Sequence, residues 1–169
     1  MLNVDSLRLL LTMALAVAVL VEGARHLSGP FAQWFGSQVG GLLRRHEHAG
    51  LTGATWLIAS MLAALVFLPP APAIIALWAA AVGDGSASVV GRWMSHVRGR
   101  NGGGKTMAGT LTCLVVTAIG AAWLGDARVS VALAIGAITA AAEWPRGPLD
   151  DNVRVTMVAG LAAWVLGVA

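Results

Sequence analysis

The feature that most constrains this chain is the return, at short intervals, of apolar runs about as long as a bilayer is thick. They cover 6–26, 51–68, 71–94, 106–124, 129–144 and 153–169. A helix needs roughly 20 mainly apolar residues to cross about 30 Å of hydrocarbon, so each run approaches the length of one crossing. Of the 169 residues, 57% are hydrophobic and only 11% charged, a balance that excludes an ordinary soluble domain. The expected fold is an all-α integral membrane protein, a bundle of about six transmembrane helices forming one multi-pass domain over 1–169. Pro69-Pro70-Ala71-Pro72 and Gly125-Asp126-Ala127-Arg128 make two of the connections tight turns, because neither sequence continues a helix easily. The first run reads as a retained span rather than a signal peptide: it is long, lacks a strongly basic start and carries Glu22 and Arg25 at its end.

Lys and Arg near span ends bias a loop toward the cytoplasm, and here they are distributed unevenly. Arg25, Arg44 and Arg45 fall between the first two spans, Arg92, Arg98, Arg100 and Lys105 between the third and fourth, and Arg146 and Arg154 between the last two; Arg8 and Arg128 alone fall opposite. This places both termini outside and the longer connections in the cytoplasm, as for a cell-membrane protein of a bacterial inner membrane. Six of the eight acids, Glu22, Glu47, Asp84, Glu143, Asp150 and Asp151, join the cations there. Charge at membrane depth is costly, so mixed acids and bases converging at the cytoplasmic ends of the helices imply an active site for metal and phosphate. The net charge of +3 is spread between apolar runs rather than clustered, which argues against a nucleic-acid partner. Cys113 is the only cysteine, so no disulfide framework or cysteine-rich metal site exists. His26, His46, His48 and His96 lack zinc-site spacing.

Within the cluster, Glu22-x-x-Arg25 and Arg44-x-x-Glu47 each place opposite charges three residues apart, on one face of a helix. Two readings stay open: each pair neutralises itself near the headgroups, or Arg25 and Arg44 contact phosphate while Glu22 and Glu47 orient them or hold a cation. Gly83-Asp84-Gly85 puts a carboxylate between glycines partway along the third span; either it hydrogen-bonds a neighbouring helix for packing alone, or it binds Mg²⁺, an ion held by one or two carboxylates and substrate phosphates. Residues 99–106 match the pattern G-x-x-x-x-G-K-[ST], but a true P-loop joins a buried strand to a helix, and no strand-rich segment is present. What survives is a Gly-rich loop ending in Gly104, Lys105 and Thr106 at the start of the fourth span, either cradling phosphate or serving as a solvated linker. Asp151 and Asn152 either cap the last helix or, with Glu143, offer further hard ligands.

Taken in order, Glu22-x-x-Arg25, Arg44-x-x-Glu47 followed by Leu51-Thr52-Gly53-Ala54-Thr55, Gly83-Asp84-x-x-Ala87-x-x-x-Gly91-Arg92, Lys105-Thr106-x-x-Gly109, and Glu143 preceding Asp151-Asn152 resemble the diacylglycerol and polyprenol kinase family, which includes dolichol and phytol kinases. The resemblance implies a membrane kinase moving the γ-phosphate of a nucleotide, CTP in many members, onto a lipid alcohol with Mg²⁺. It implies that Asp84 binds metal or activates the hydroxyl, that Lys105 and Thr106 hold phosphate beside Arg92, and that Glu143, Asp151 and Asn152 complete the metal or nucleotide site. The partners expected are the nucleotide, a polyprenol, phytol-like alcohol or diacylglycerol, and membrane lipids; so small a bundle is also compatible with a homodimer. The competing classes are a phosphatidate cytidylyltransferase, whose late stretch rich in Lys, Asp, His and Gly is missing here, and a non-enzymatic transporter using its charges as an ion path.

Overall fold

The computed structural model describes residues 3–43, 47, 50–97, 105–144 and 149–168, with the backbone alone at 42, 96 and 97. Among these residues the chain is helical throughout, without a strand. Helix α1 (Val4–Leu27) starts where the Asn3 side chain accepts from the Ser6 amide at 2.8 Å. It stops at Ser28, which turns to extended backbone and caps α2 (Gly29–Val39), a helix with Pro30 in its first turn. A 3₁₀ turn (Gly40–Leu42) follows. Helix α3 (Gly53–Phe67) is stopped by the proline cluster, after which α4 (Pro70–Trp78) begins.

From α4 the chain runs without a break through a π-helical segment (Ala79–Asp84) into α5 (Gly85–Val97). Helices α6 (Met107–Leu124), α7 (Val129–Ala142) and α8 (Asp151–Val165) complete the bundle. Among the described residues three helices are long and apolar enough to cross a membrane: Val4–Leu27, Pro70–Ser95 and Met107–Leu124. Gly53–Phe67 and Val129–Ala142 are apolar but shorter.

Small residues let the helices approach closely, the usual packing device where lipid offers no hydrophobic contrast between helices. A methyl at Gly136 would run into the Leu114 carbonyl across the α6–α7 contact, and one at Gly160 would meet Leu68, Ala76 and Pro72. The Trp78 indole lies over Gly120, and its Nε1–H donates to the Val116 carbonyl at 2.8 Å, so this tryptophan ties α4 to α6. In contrast, Trp34, Trp93, Trp123, Trp144 and Trp164 are all more than half exposed, as residues facing lipid or its interface would be. Helix α1 packs on α3, where Arg8 donates to the Leu65 carbonyl at 2.7 and 3.0 Å.

Two elements depart from the sequence expectation. Helix α2 lies inside what hydropathy presents as a connection. The third apolar run contains a π-helical segment, and the inserted turn places Asp84 at its end. Gly83 faces Thr117 of α6 so closely that a methyl there would lie 2.8 Å from Oγ1. π-Helical turns are rare and often found at functional sites.

Candidate functional site

The polar side chains collect at one end of the bundle, where the end of α1 meets the starts of α3, α6 and α8. The first part of this end is built on Glu22 and Arg25, which share a face of α1 and pair at 2.7 Å with both side chains about 5% exposed. Arg25 donates to the Glu47 carbonyl at 2.8 Å and also to the Gly50 carbonyl, so the guanidinium holds the segment that follows α2 against the bundle. The second Glu22 oxygen accepts from the Thr52 amide at 2.7 Å and the Thr55 hydroxyl at 3.1 Å. The start of α3 is thus hung on the same carboxylate. Every polar atom of this pair has a partner, which is the condition under which a buried ion pair holds together.

Asn152 extends the network to α8. Its Nδ2 donates to the Gly53 carbonyl at 3.1 Å and to Asp150 Oδ1 at 2.8 Å. The buried Glu47 carboxylate reaches the same spot: a methyl at Gly53 would lie 3.0 Å from Glu47 Oε1 and 3.3 Å from Asn152 Nδ2. Two polar side chains close over Gly53, and a side chain there would have to push them aside. Asp150, rather than Asp151 or Asn152, caps α8, accepting from the Asn152 amide at 2.9 Å; this corrects the capping expected from the sequence, and it frees Asp151 for the neighbouring cations.

Asp151 lies 3.0 Å from the Lys105 ammonium and also bonds Arg154. Burial alone would push its carboxyl upward, but the hydrogen bonds and charges of Lys105 and Arg154 outweigh it and hold the group below the ordinary carboxylate range. Thr106 caps α6, its hydroxyl accepting from the Gly109 amide at 3.1 Å. That hydroxyl also fills the space opposite Gly91, where α5 and α6 touch through Gly91, Gly109 and Ala87. Arg92 is exposed one residue further along α5.

The second part lies between the π segment, α6 and α7. Cys113, fully buried, sits against the Glu143 carboxylate, with Thr117 4.0 Å from its sulfur and Asp84 within electrostatic reach. Glu143 is 5% exposed, and its Oε1 has no hydrogen-bond partner among the described residues. Buried polar atoms are nearly always paired, so an orphaned carboxylate oxygen is the least settled feature of the bundle.

The structure thus joins Glu22, Arg25, Glu47 and Asn152 in one network, Lys105 and Asp151 in an ion pair beside it, and Asp84 and Glu143 around Cys113. Arg44 and Gly104, with the rest of the Gly-rich loop from 99, lie outside the described residues. Among the described residues no three His, Cys, Asp or Glu side chains form a metal-binding group. The oxygens of Glu22 are committed to Arg25, Thr52 and Thr55, and those of Asp151 to cations. Asp84 with the orphaned oxygen of Glu143 suits Mg²⁺ better, since that ion takes one or two carboxylates and completes its shell with phosphate and water. The sequence names Thr52 and Thr55 within a motif and Cys113 as the only cysteine without giving any of them a role at the site; the two threonines carry a signal in their spacing of three before an apolar helix, whereas nothing local ties Cys113 to Glu143.

No protein-family model, curated protein or solved structure matches this chain. What fold and site define is the class alone: an all-helical protein with several long apolar helices, compatible with a membrane, and a polar network at one end of its bundle.

Proposed function

We propose that the protein is a membrane kinase that transfers the γ-phosphate of CTP to the hydroxyl of a lipid alcohol, its six apolar helices spanning the bilayer and its polar end facing the cytoplasm. The observation that carries this reading is the Lys105–Asp151 pair beside Arg154, set where α6 and α8 both begin. Two helix N-termini and two cations at one point favour a phosphate group. Lys105 and Arg154 bind and orient the phosphates, and Asp151 keeps the ammonium in position between turnovers. The Glu22–Arg25 pair and Asn152 fix the surrounding backbone.

Asp84 and Glu143 would hold Mg²⁺, which when bound neutralises charge on the transferring phosphoryl group. Asp84 also accepts the proton of the lipid hydroxyl, which approaches from the bilayer alongside the π segment. Phosphoryl transfer asks mainly for positioning and charge neutralisation, with the lipid hydroxyl itself as the nucleophile.

The test supplies purified protein in lipid with Mg²⁺, γ-labelled or α-labelled CTP, and either polyprenol, phytol-like alcohol, diacylglycerol or phosphatidate. Label arriving from the γ position on an alcohol is the expected result. Label from the α position on phosphatidate would instead make the protein a cytidylyltransferase, and transfer to neither would favour a transporter. Asp84→Asn and Lys105→Ala should each reduce transfer by about 10²–10³-fold while the protein remains folded; full activity in Asp84→Asn sinks the assignment.

A further inference from the structure

Helix α2 has no role in the site just described, yet its composition is unusual. Its sequence, Gly29-Pro30-Phe31-Ala32-Gln33-Trp34-Phe35-Gly36-Ser37-Gln38-Val39, contains no ionisable residue and none of its residues is buried. Phe31, Trp34 and Phe35 recur at spacings of three and four, which places them on one face. Their rings touch, with centroids 5.5 Å apart for Phe31–Trp34 and 6.2 Å for Phe31–Phe35. Gln33, Gly36 and Ser37 occupy the opposite face.

The position of α2 says what covers the aromatic face. It begins directly after α1, the most apolar of the membrane-length helices and one with no part of its apolar window buried inside the protein. The exposed apolar surface of α1 continues through Leu20 and Leu27, 72% and 91% exposed, to Trp34 at 57%. Ser28 breaks the helix between them, so α2 changes direction where α1 leaves the hydrocarbon. Phe35 faces back over Arg25, its ring centroid 5.8 Å from the guanidinium carbon, which keeps α2 close to the end of α1. A short uncharged helix with aromatic residues on one face, joined at the end of a span, fits the boundary between headgroups and acyl chains.

We infer that α2 is an in-plane helix that seats Phe31 and Trp34 in the headgroup–acyl boundary of the bilayer, and that it binds neutral lipid through aromatic burial rather than anionic lipid through charge. The inference rests on the membrane reading proposed above. Through Phe35 the helix meets Arg25, so the lipid surface and the Glu22–Arg25 pair adjoin directly at the end of α1.

The experiment uses the full chain with Cys113→Ser, reconstituted in phosphatidylcholine vesicles, and single nitroxide labels on Val17→Cys, Trp34→Cys or Gln33→Cys. Collision with oxygen reports lipid, and collision with a water-soluble nickel chelate reports solvent. The expected pattern is oxygen favoured strongly at Val17, oxygen favoured more weakly at Trp34, and nickel favoured at Gln33. It should be unchanged by added phosphatidylglycerol or by raising salt to 1 M. Oxygen at Val17 with nickel favoured at Trp34 would overturn the α2 assignment and leave the membrane reading intact. Protection of Trp34 from both reagents would overturn it in favour of a protein contact. A seat that weakens with salt would overturn the neutral-lipid claim. Nickel favoured at Val17 would bring down both readings.

Discussion

The two halves of the polar end handle buried charge in opposite ways. Around α1, α3 and α8, Glu22 and Arg25 are buried with every contact satisfied, and Glu47, Gly50, Thr52 and Thr55 hang on them. Between the π segment, α6 and α7, Glu143 is equally buried but keeps one oxygen without a partner among the described residues, beside a fully buried thiol. Equal burial therefore goes with unequal pairing in the two halves. A satisfied ion pair holds geometry and resists change, whereas an unsatisfied carboxylate oxygen is a standing cost that a bound cation can remove.

The largest effect should come from removing one member of the satisfied pair. Arg25→Ala strands the Glu22 carboxylate and releases the carbonyls of Glu47 and Gly50, costing about 3–5 kcal/mol of stability. Glu143→Gln replaces a partly unpaired carboxylate by a neutral group of the same shape, so its stability should stay within about 1 kcal/mol of the parent while phosphoryl transfer falls by about 10²–10³-fold. Thermal unfolding in detergent alongside the γ-label assay reads both. Equal destabilisation by the two variants would erase the distinction between the halves.

An intermediate effect is expected at Gly83. The added methyl in Gly83→Ala meets Thr117 Oγ1 at 2.8 Å and should cost about 1–3 kcal/mol, recovered in part by adding Thr117→Ala. A double-mutant cycle on unfolding midpoints would quantify the contact. Strict additivity would show that the π segment does not depend on it.

The smallest effect concerns Asp151 and acidity. Its folded carboxyl titrates below its unfolded value, so its contribution is complete above the ordinary range near 3.8 and is lost as pH falls through the lowered folded value. The stability difference between the parent and Asp151→Asn should be flat from about pH 6 to 5 and shrink below about pH 4. A difference that grows as pH falls would mean that Lys105 and Arg154 do not stabilise the charged form.

Hydropathy locates the long helices well, because lipid contact and helix packing both demand continuous apolar sequence. It passes over α2, whose 11 residues are too few to span and whose apolar surface is three aromatic rings spaced for one face. The π segment is also invisible, and so is its close contact with Thr117, far along the chain from Gly83. The Glu22–Arg25 pairing follows from spacing, but that its remaining oxygen holds Thr52 and Thr55 depends on how α1 meets α3. Glu143 stands out in the sequence as a carboxylate ending an apolar run; that Cys113 of α6 lies beside it, and that its Oε1 has no partner among the described residues, emerges only from the packing.

The unequal helix lengths carry one more consequence. Helix α1 has 24 residues, whereas α3 and α8 have 15 and α7 has 14, so α1 rises about 36 Å and the others about 21–23 Å. On the membrane reading proposed above, in hydrocarbon about 30 Å thick, α1 would be long enough to cross and α3, α7 and α8 would fall short. On that reading the mismatch would be relieved by local thinning beside the short helices, which would draw headgroups toward the polar end of the bundle. Acyl-chain length in the surrounding membrane would then tune how readily a lipid's polar group reaches that end, with no change in the protein's own contacts.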